Sequence, residues 1–117
     1  AVAYRDVPSR ISLFRTLLLP LSPGLFGEQL TSPLKLWDAL QSGIPLVAAD
    51  TAAVRAAADG AFVPYTPGDT NALVAALDRA CRDEGLRREV VARARERSRT
   101  WDQRAAEIER FVDRILP

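Results

Sequence analysis

The sequence predicts an α/β fold, in which a parallel sheet is flanked by helices and the C-terminal part is helical. Three observations predict it. Thr31 to Asp50, TSPLKLWDALQSGIPLVAAD, reads as loop, helix, tight turn and buried strand, an order that suits one half of a parallel sheet. Two short segments, Thr16 to Leu19 and Leu46 to Ala49, carry apolar residues without alternation, as strands covered on both faces do. From Thr70 onward, apolar residues recur at helical spacing.

Taken in order, Ala1 to Tyr4 is a short apolar segment that suits a strand, and Arg5 to Pro8 a turn. Ser9 can cap a short helix through Phe14. Thr16 to Leu19 reads as a central strand, ended by Pro20. Leu21 to Leu30 is a loop broken by Pro23, Gly24 and Gly27, at the strand's carboxyl end, where open α/β sheets bind ligands. Its Leu25 and Phe26 either tuck back onto the domain or wall a ligand. The Gly24 and Gly27 spacing lacks the Gly-Lys-Ser/Thr ending of a phosphate loop.

Pro33 suits the first turn of the next helix. Pro33, Leu36, Trp37 and Leu40 form one apolar stripe, and Gly43 stops the helix. After the strand at Leu46 to Ala49, Asp50 and Thr51 can cap a helix over Ala52 to Ala58; Asp50 could instead face the cleft. Gly60 ends that helix, and Ala61 to Pro64 is an edge strand. Asp69 caps a helix from Thr70 to about Glu84, with Leu73, Val74, Leu77 and Cys81 on its buried stripe and Gly85 as its breaker. A helix from Leu86 to about Arg99 buries Leu86, Val90, Val91 and Ala94. The last, Trp101 to Leu116, places Trp101, Ala105, Ile108, Val112 and Ile115 on one face.

A chain of 117 residues can bury a modest core as one domain, and 48% hydrophobic with 26% charged residues is ordinary for a globular protein. The net charge of +1 creates no field that favours nucleic acid or a membrane surface. Between Arg79 and Arg114 there are 11 arginines and 8 acids with interspersed signs, the mark of a solvated helical surface. Arg5, Arg10 and Arg15 also read as solvated, or as able to reach a phosphate. The single cysteine, Cys81, excludes an internal disulfide and reads as a buried structural thiol, consistent with a cytoplasmic protein. There is no histidine, which removes the commonest general base and metal ligand. No apolar run has membrane-spanning length. A start at Ala-Val-Ala and the lack of methionine suit a processed start or a fragment.

Lys35 is the only lysine among 16 basic residues. It sits in the first helical turn, where exposed N–H groups and the helix dipole disfavour a cation. A bound anion would reverse that, shared between backbone donors and the ammonium. Asp38 lies three residues on, where a carboxylate could accept from sugar hydroxyls. The alternative is an exposed i,i+3 pair worth a few tenths of a kcal/mol.

The segment SPLKLWDALQSGIPLVAAD resembles the donor-binding segment of family 4 glycosyltransferases, enzymes with two facing Rossmann-like domains in the GT-B architecture. Ser32 to Leu36 match the family's loop and first turn, Asp38 stands where the family usually has Glu, and Ser42 to Pro45 match its turn. The likeness continues through Pro67-Gly68-Asp69 and Thr100-Trp101-Asp102, covering nearly the whole chain. The resemblance implies a partial C-terminal domain of a GT-B enzyme, with a donor-binding Rossmann-like region over 1–69 and C-terminal helices over 70–117.

It implies a nucleoside diphosphate sugar as donor, held at the diphosphate by Thr31, Ser32, Pro33, Leu34 and Lys35 and at the ribose by Asp38. It further implies retaining transfer without a bound metal or other cofactor, as in cell-envelope polysaccharide or glycoconjugate biosynthesis. The N-terminal acceptor domain would be the missing partner and no catalytic residue would lie in this fragment, which would be inactive alone. The full enzyme would be free to associate peripherally with a membrane. The last helix would cross to the other domain, leaving part of its apolar face exposed here.

One departure stands out: the family often has two Glu eight residues apart, and eight before Asp38 is Leu30, with Glu28 out of register. Two alternatives remain beside the enzyme. One is a non-catalytic nucleotide-binding or regulatory module, for instance one like a receiver domain with Asp50 at a strand end. The other is a structural remnant that no longer binds its donor.

Overall fold

The computed structural model describes residues 2–25, 27 and 34–116. Strands β1 (Leu17–Leu19), β2 (Leu46–Ala49) and β3 (Val63–Tyr65) form a parallel sheet in the order β1-β2-β3. Leu18 lies opposite Val47, and Ala48 opposite Pro64. A 3-10 turn (Tyr4–Asp6) and helix α1 (Val7–Ile11) precede β1. Helices α2 (Leu34–Gln41) and α3 (Ala52–Ala58) connect the strands, and α4 (Thr70–Arg82), α5 (Glu84–Arg97) and α6 (Trp101–Ile115) follow. This is a three-stranded α/β sheet flanked by helices, consistent with a Rossmann-like fold. Among the described residues no helix is long and apolar enough to cross a membrane.

The core is built around β2, whose four residues are all buried. Alternation sends Leu46 and Ala48 to one face and Val47 and Ala49 to the other. On the first face they meet Leu36 and Leu40 of α2 and Val54 and Ala58 of α3. On the second they join Val63 and Tyr65 of β3 and Ala76 and Ala80 of α4. Helix α5 closes both clusters, Val90 in the second and Ala94 in the first. Burial on both faces is why β2 has no polar position.

Parallel pairing requires α2 and α3 to return the chain from the carboxyl ends of the strands. Both helices therefore begin at the sheet's carboxyl edge. Gly43 ends α2 with φ of +74°, a conformation that only glycine adopts without strain. Ser42 completes the turn: its hydroxyl donates to the Ala39 carbonyl at 2.6 Å and accepts from the Ile44 N–H at 3.0 Å. Thr51 caps α3, accepting from the Val54 N–H at 3.2 Å while only 2% exposed. Thr51→Ala is expected to cost about 1–2 kcal/mol in urea unfolding, and Thr51→Ser much less, because the hydroxyl acceptor survives.

Several sequence expectations are corrected. The strand expected over the first residues is absent among those described: Tyr4–Asp6 is a 3-10 turn, and the helix starts at Val7 rather than after Ser9. Pro8 at the start of α1 favours this earlier entry, and the Ser9 hydroxyl donates to the Asp6 carbonyl instead of capping. Strand β1 lies at the edge of the described sheet, with Leu18 42% exposed, and β2 takes the centre. Gly85 does not break α4. Asp83 ends it and caps α5, accepting from the Leu86 N–H at 2.9 Å, so Gly85 falls inside the first turn of α5. Val74 is exposed, because the small residues Ala76 and Ala80, not Val74, let α4 approach the sheet.

Helix α6 has no buried residue, and Trp101, Ile108, Phe111, Ile115 and Leu116 at its start, middle and end are all more than half exposed.

Candidate functional site

Helix α2 carries three of the six residues singled out from sequence. Leu36, Ala39 and Leu40 bury one side of the helix, which leaves Leu34, Lys35 and Asp38 exposed on the other. Thr31, Ser32 and Pro33 lie outside the described residues. Neither the Lys35 nor the Asp38 side chain has a hydrogen bond or ion pair among the described residues, so the i,i+3 pair considered above does not form there. The first turn of α2 carries no acid to offset Lys35. A cation at the positive end of a helix thus stands without a protein counter-charge among the described residues.

Leu34 and Asp38 line a groove of about 470 Å³ between α2 and the α5–α6 corner; Lys35 is not on its wall. Trp37 and Gln41 continue the α2 side, and Trp101 and Arg104 belong to the opposite side. Tyr4 closes a third side, and a smaller groove of about 330 Å³ runs on from Asp38 and Gln41 towards α1. The Gln41 side-chain amide donates to the Arg99 carbonyl at 3.2 Å, tying α2 to the corner. A capping box fixes the start of α6: the Thr100 hydroxyl accepts from the Gln103 N–H at 3.2 Å, and the Gln103 side chain accepts from the Thr100 N–H at 2.9 Å. Arg99 and Arg104 both pair with Glu107, which offsets one of the two positive charges on that side of the groove.

The sheet's carboxyl edge holds two shallow depressions of about 390 and 310 Å³. Leu21 and Ser22 line the first, after β1, with Gly68 and Asp69 after β3. Asp50 and Arg55 face each other in the second and pair at 2.8 Å. Thr51, not Asp50, caps α3, so Asp50 is the cleft-facing residue of the two. Among the described residues no second carboxylate lines that depression, unlike the acidic cluster a receiver domain requires. Leu25 is 63% exposed and does not tuck back; Phe26 lies outside the described residues.

Comparison with protein-family models, with curated proteins and with solved structures finds no match to this chain.

Sequence reasoning named Asp38 but missed what surrounds it. Tyr4, Gln41, Arg99, Trp101 and Arg104 come from three separate stretches, and only folding brings them to one groove. The available signal was Trp101, a large aromatic at the first position of a helix.

Proposed function

We propose that this chain is the C-terminal part of the donor-binding domain of a retaining glycosyltransferase and binds a nucleoside diphosphate sugar. The observation that carries the reading is Lys35, an exposed cation in the first turn of α2 with no acid in that turn and no partner among the described residues. A diphosphate there would accept from the backbone N–H groups of the helix entrance and from the Lys35 ammonium together. Asp38, exposed one turn on, would accept from the ribose hydroxyls. The position at the carboxyl edge of a parallel sheet supports the reading, because ligands of such sheets gather there. The resemblance of Ser32 to Asp50 to the family 4 donor segment supplies the reaction class.

In this reading the chain's own residues bind and orient the donor. They do not supply a proton acceptor for the incoming hydroxyl, which falls to the other domain. No glycosyl transfer is expected from the 117-residue chain alone.

Calorimetric titration with UDP and GDP tests the reading. One of the two is expected to bind, and Lys35→Ala and Asp38→Ala are each expected to weaken it at least tenfold, since a charge-assisted hydrogen bond contributes about 1.5–3 kcal/mol. Asp38→Glu should retain or improve binding. Binding of neither nucleotide to the unmodified chain would overturn the proposal. Leu30, in place of an acid, favours one second reading: a module that keeps the nucleotide and has lost transfer. Full-length protein that binds the nucleotide and never turns over would establish it.

A further inference from the structure

We infer that the groove between α2 and the start of α6 seats the base of the nucleotide, stacked against Trp101. This rests on the donor-binding role of Lys35 and Asp38 and adds where the rest of the nucleotide goes.

The order of chemistry along α2 points this way. Lys35, Asp38 and Gln41 succeed one another at three-residue steps, covering about 9 Å of helix. A nucleoside diphosphate laid along the helix with its phosphates at the entrance would present ribose to Asp38 and base beyond it, beside Gln41. Asp38 and Gln41 line the groove together with Trp101 and Tyr4.

The groove suits a flat, neutral ring. Trp101 is 85% exposed and Tyr4 90%, so both present aromatic surface to water that a π-face would cover. Trp37 adds a third ring, half-buried against the core. The volume of about 470 Å³ is in the range of small-molecule sites. Arg99 and Arg104 share Glu107, which offsets one of their two charges. One polar group is set to read a base edge. The Gln41 Nε2 is committed to the Arg99 carbonyl, which orients Oε1 as an acceptor for a ring N–H or exocyclic amine. The capping box between Thr100 and Gln103 fixes the backbone of the helix start that carries Trp101.

The test uses binding of UDP, GDP and pyrophosphate to the unmodified chain, Trp101→Ala and Trp101→Phe. Trp101 is largely solvent-exposed, so its truncation leaves the core intact, which far-UV circular dichroism checks. Trp101→Ala is expected to weaken the binding nucleotide about tenfold, Trp101→Phe to recover most of it, and pyrophosphate affinity to stay unchanged. Both tryptophans of the chain line this groove, so the nucleotide should quench their fluorescence, and pyrophosphate should not. Nucleotide binding that is lost in Lys35→Ala but unaltered in Trp101→Ala would overturn the inference and leave the donor-binding reading standing. Equal weakening of nucleotide and pyrophosphate by Trp101→Ala would also overturn it. No nucleotide binding to the unmodified chain would overturn both.

Discussion

Leu40→Ala is expected to destabilise the domain by about 3 kcal/mol and to lower its melting temperature by about 10 °C. Leu40 is 1% exposed and sits on α2 where that helix meets β2, α3 and the end of α5. Truncation removes buried methyl groups and leaves a cavity that the neighbours fill only in part. Leu36, Leu46 and Val54 share the cluster, but Ala39, Ala48, Ala58 and Ala94 carry no side-chain length to swing inward. A cost of this size is a large fraction of the total stability of a single domain. Val74→Ala on α4 is the control: Val74 is 59% exposed, and its loss should change stability by less than about 0.5 kcal/mol. The measurement is urea and thermal unfolding of the two variants side by side. Equal small effects would mean that α2 is not seated on the sheet as described. Because α2 also carries Lys35 and Asp38, Leu40→Ala should weaken nucleotide binding only as far as the helix loosens.

Arg87→Ala is expected to cost about 2 kcal/mol, an unusual loss for an arginine on a helix. Its side chain is only 14% exposed. One guanidinium nitrogen donates to the Ala80 carbonyl at 2.6 Å, near the end of α4, and to the Arg15 carbonyl at 2.8 Å, just before β1. Arg15 works beside it, donating through Nε to the Cys81 carbonyl at 3.0 Å and pairing with Glu84. Two cations thus satisfy carbonyls at the C-terminal end of α4, where the helix dipole favours positive charge. Removing Arg87 leaves those carbonyls poorly paired in a partly dry site. Both bonds leave the same nitrogen, but lysine carries no Nε to face Glu84 at 3.6 Å and places its ammonium differently, so Arg87→Lys should recover only part of the loss. Arg88→Ala, at an exposed neighbouring position, should be near neutral in the same unfolding assay. If Arg87→Ala proved equally neutral, the α4–α5 junction would be held by side-chain packing alone.

The arginines show where sequence reading reached its limit. Interspersed charges from Arg79 to Arg114 mark a solvated surface, and most of those residues are exposed. Arg87 and Arg15 are exceptions that spacing cannot reveal, because their acceptors are backbone carbonyls 66 to 72 residues away or at the end of another helix. The same limit applies to the end of α4. Gly85 looked like the breaker because glycine is costly inside a helix, yet Asp83 capped the next helix first and the glycine was carried along.

The sequence by itself determined the parallel α/β arrangement, the end of α2 at Gly43, the extents of β2 and α3, and the exposure of Lys35 and Asp38. Those follow from local rules: apolar periodicity, a glycine at positive φ, a threonine cap, and a strand with no polar position. Only the tertiary structure decided that β2 rather than β1 is central, that α5 serves both faces of the sheet, and that Asp38 shares a groove with Trp101. Each of these depends on contacts between distant stretches. Periodicity tells which side of a helix is apolar, but not which neighbour will cover it or which aromatic ring will be left facing water.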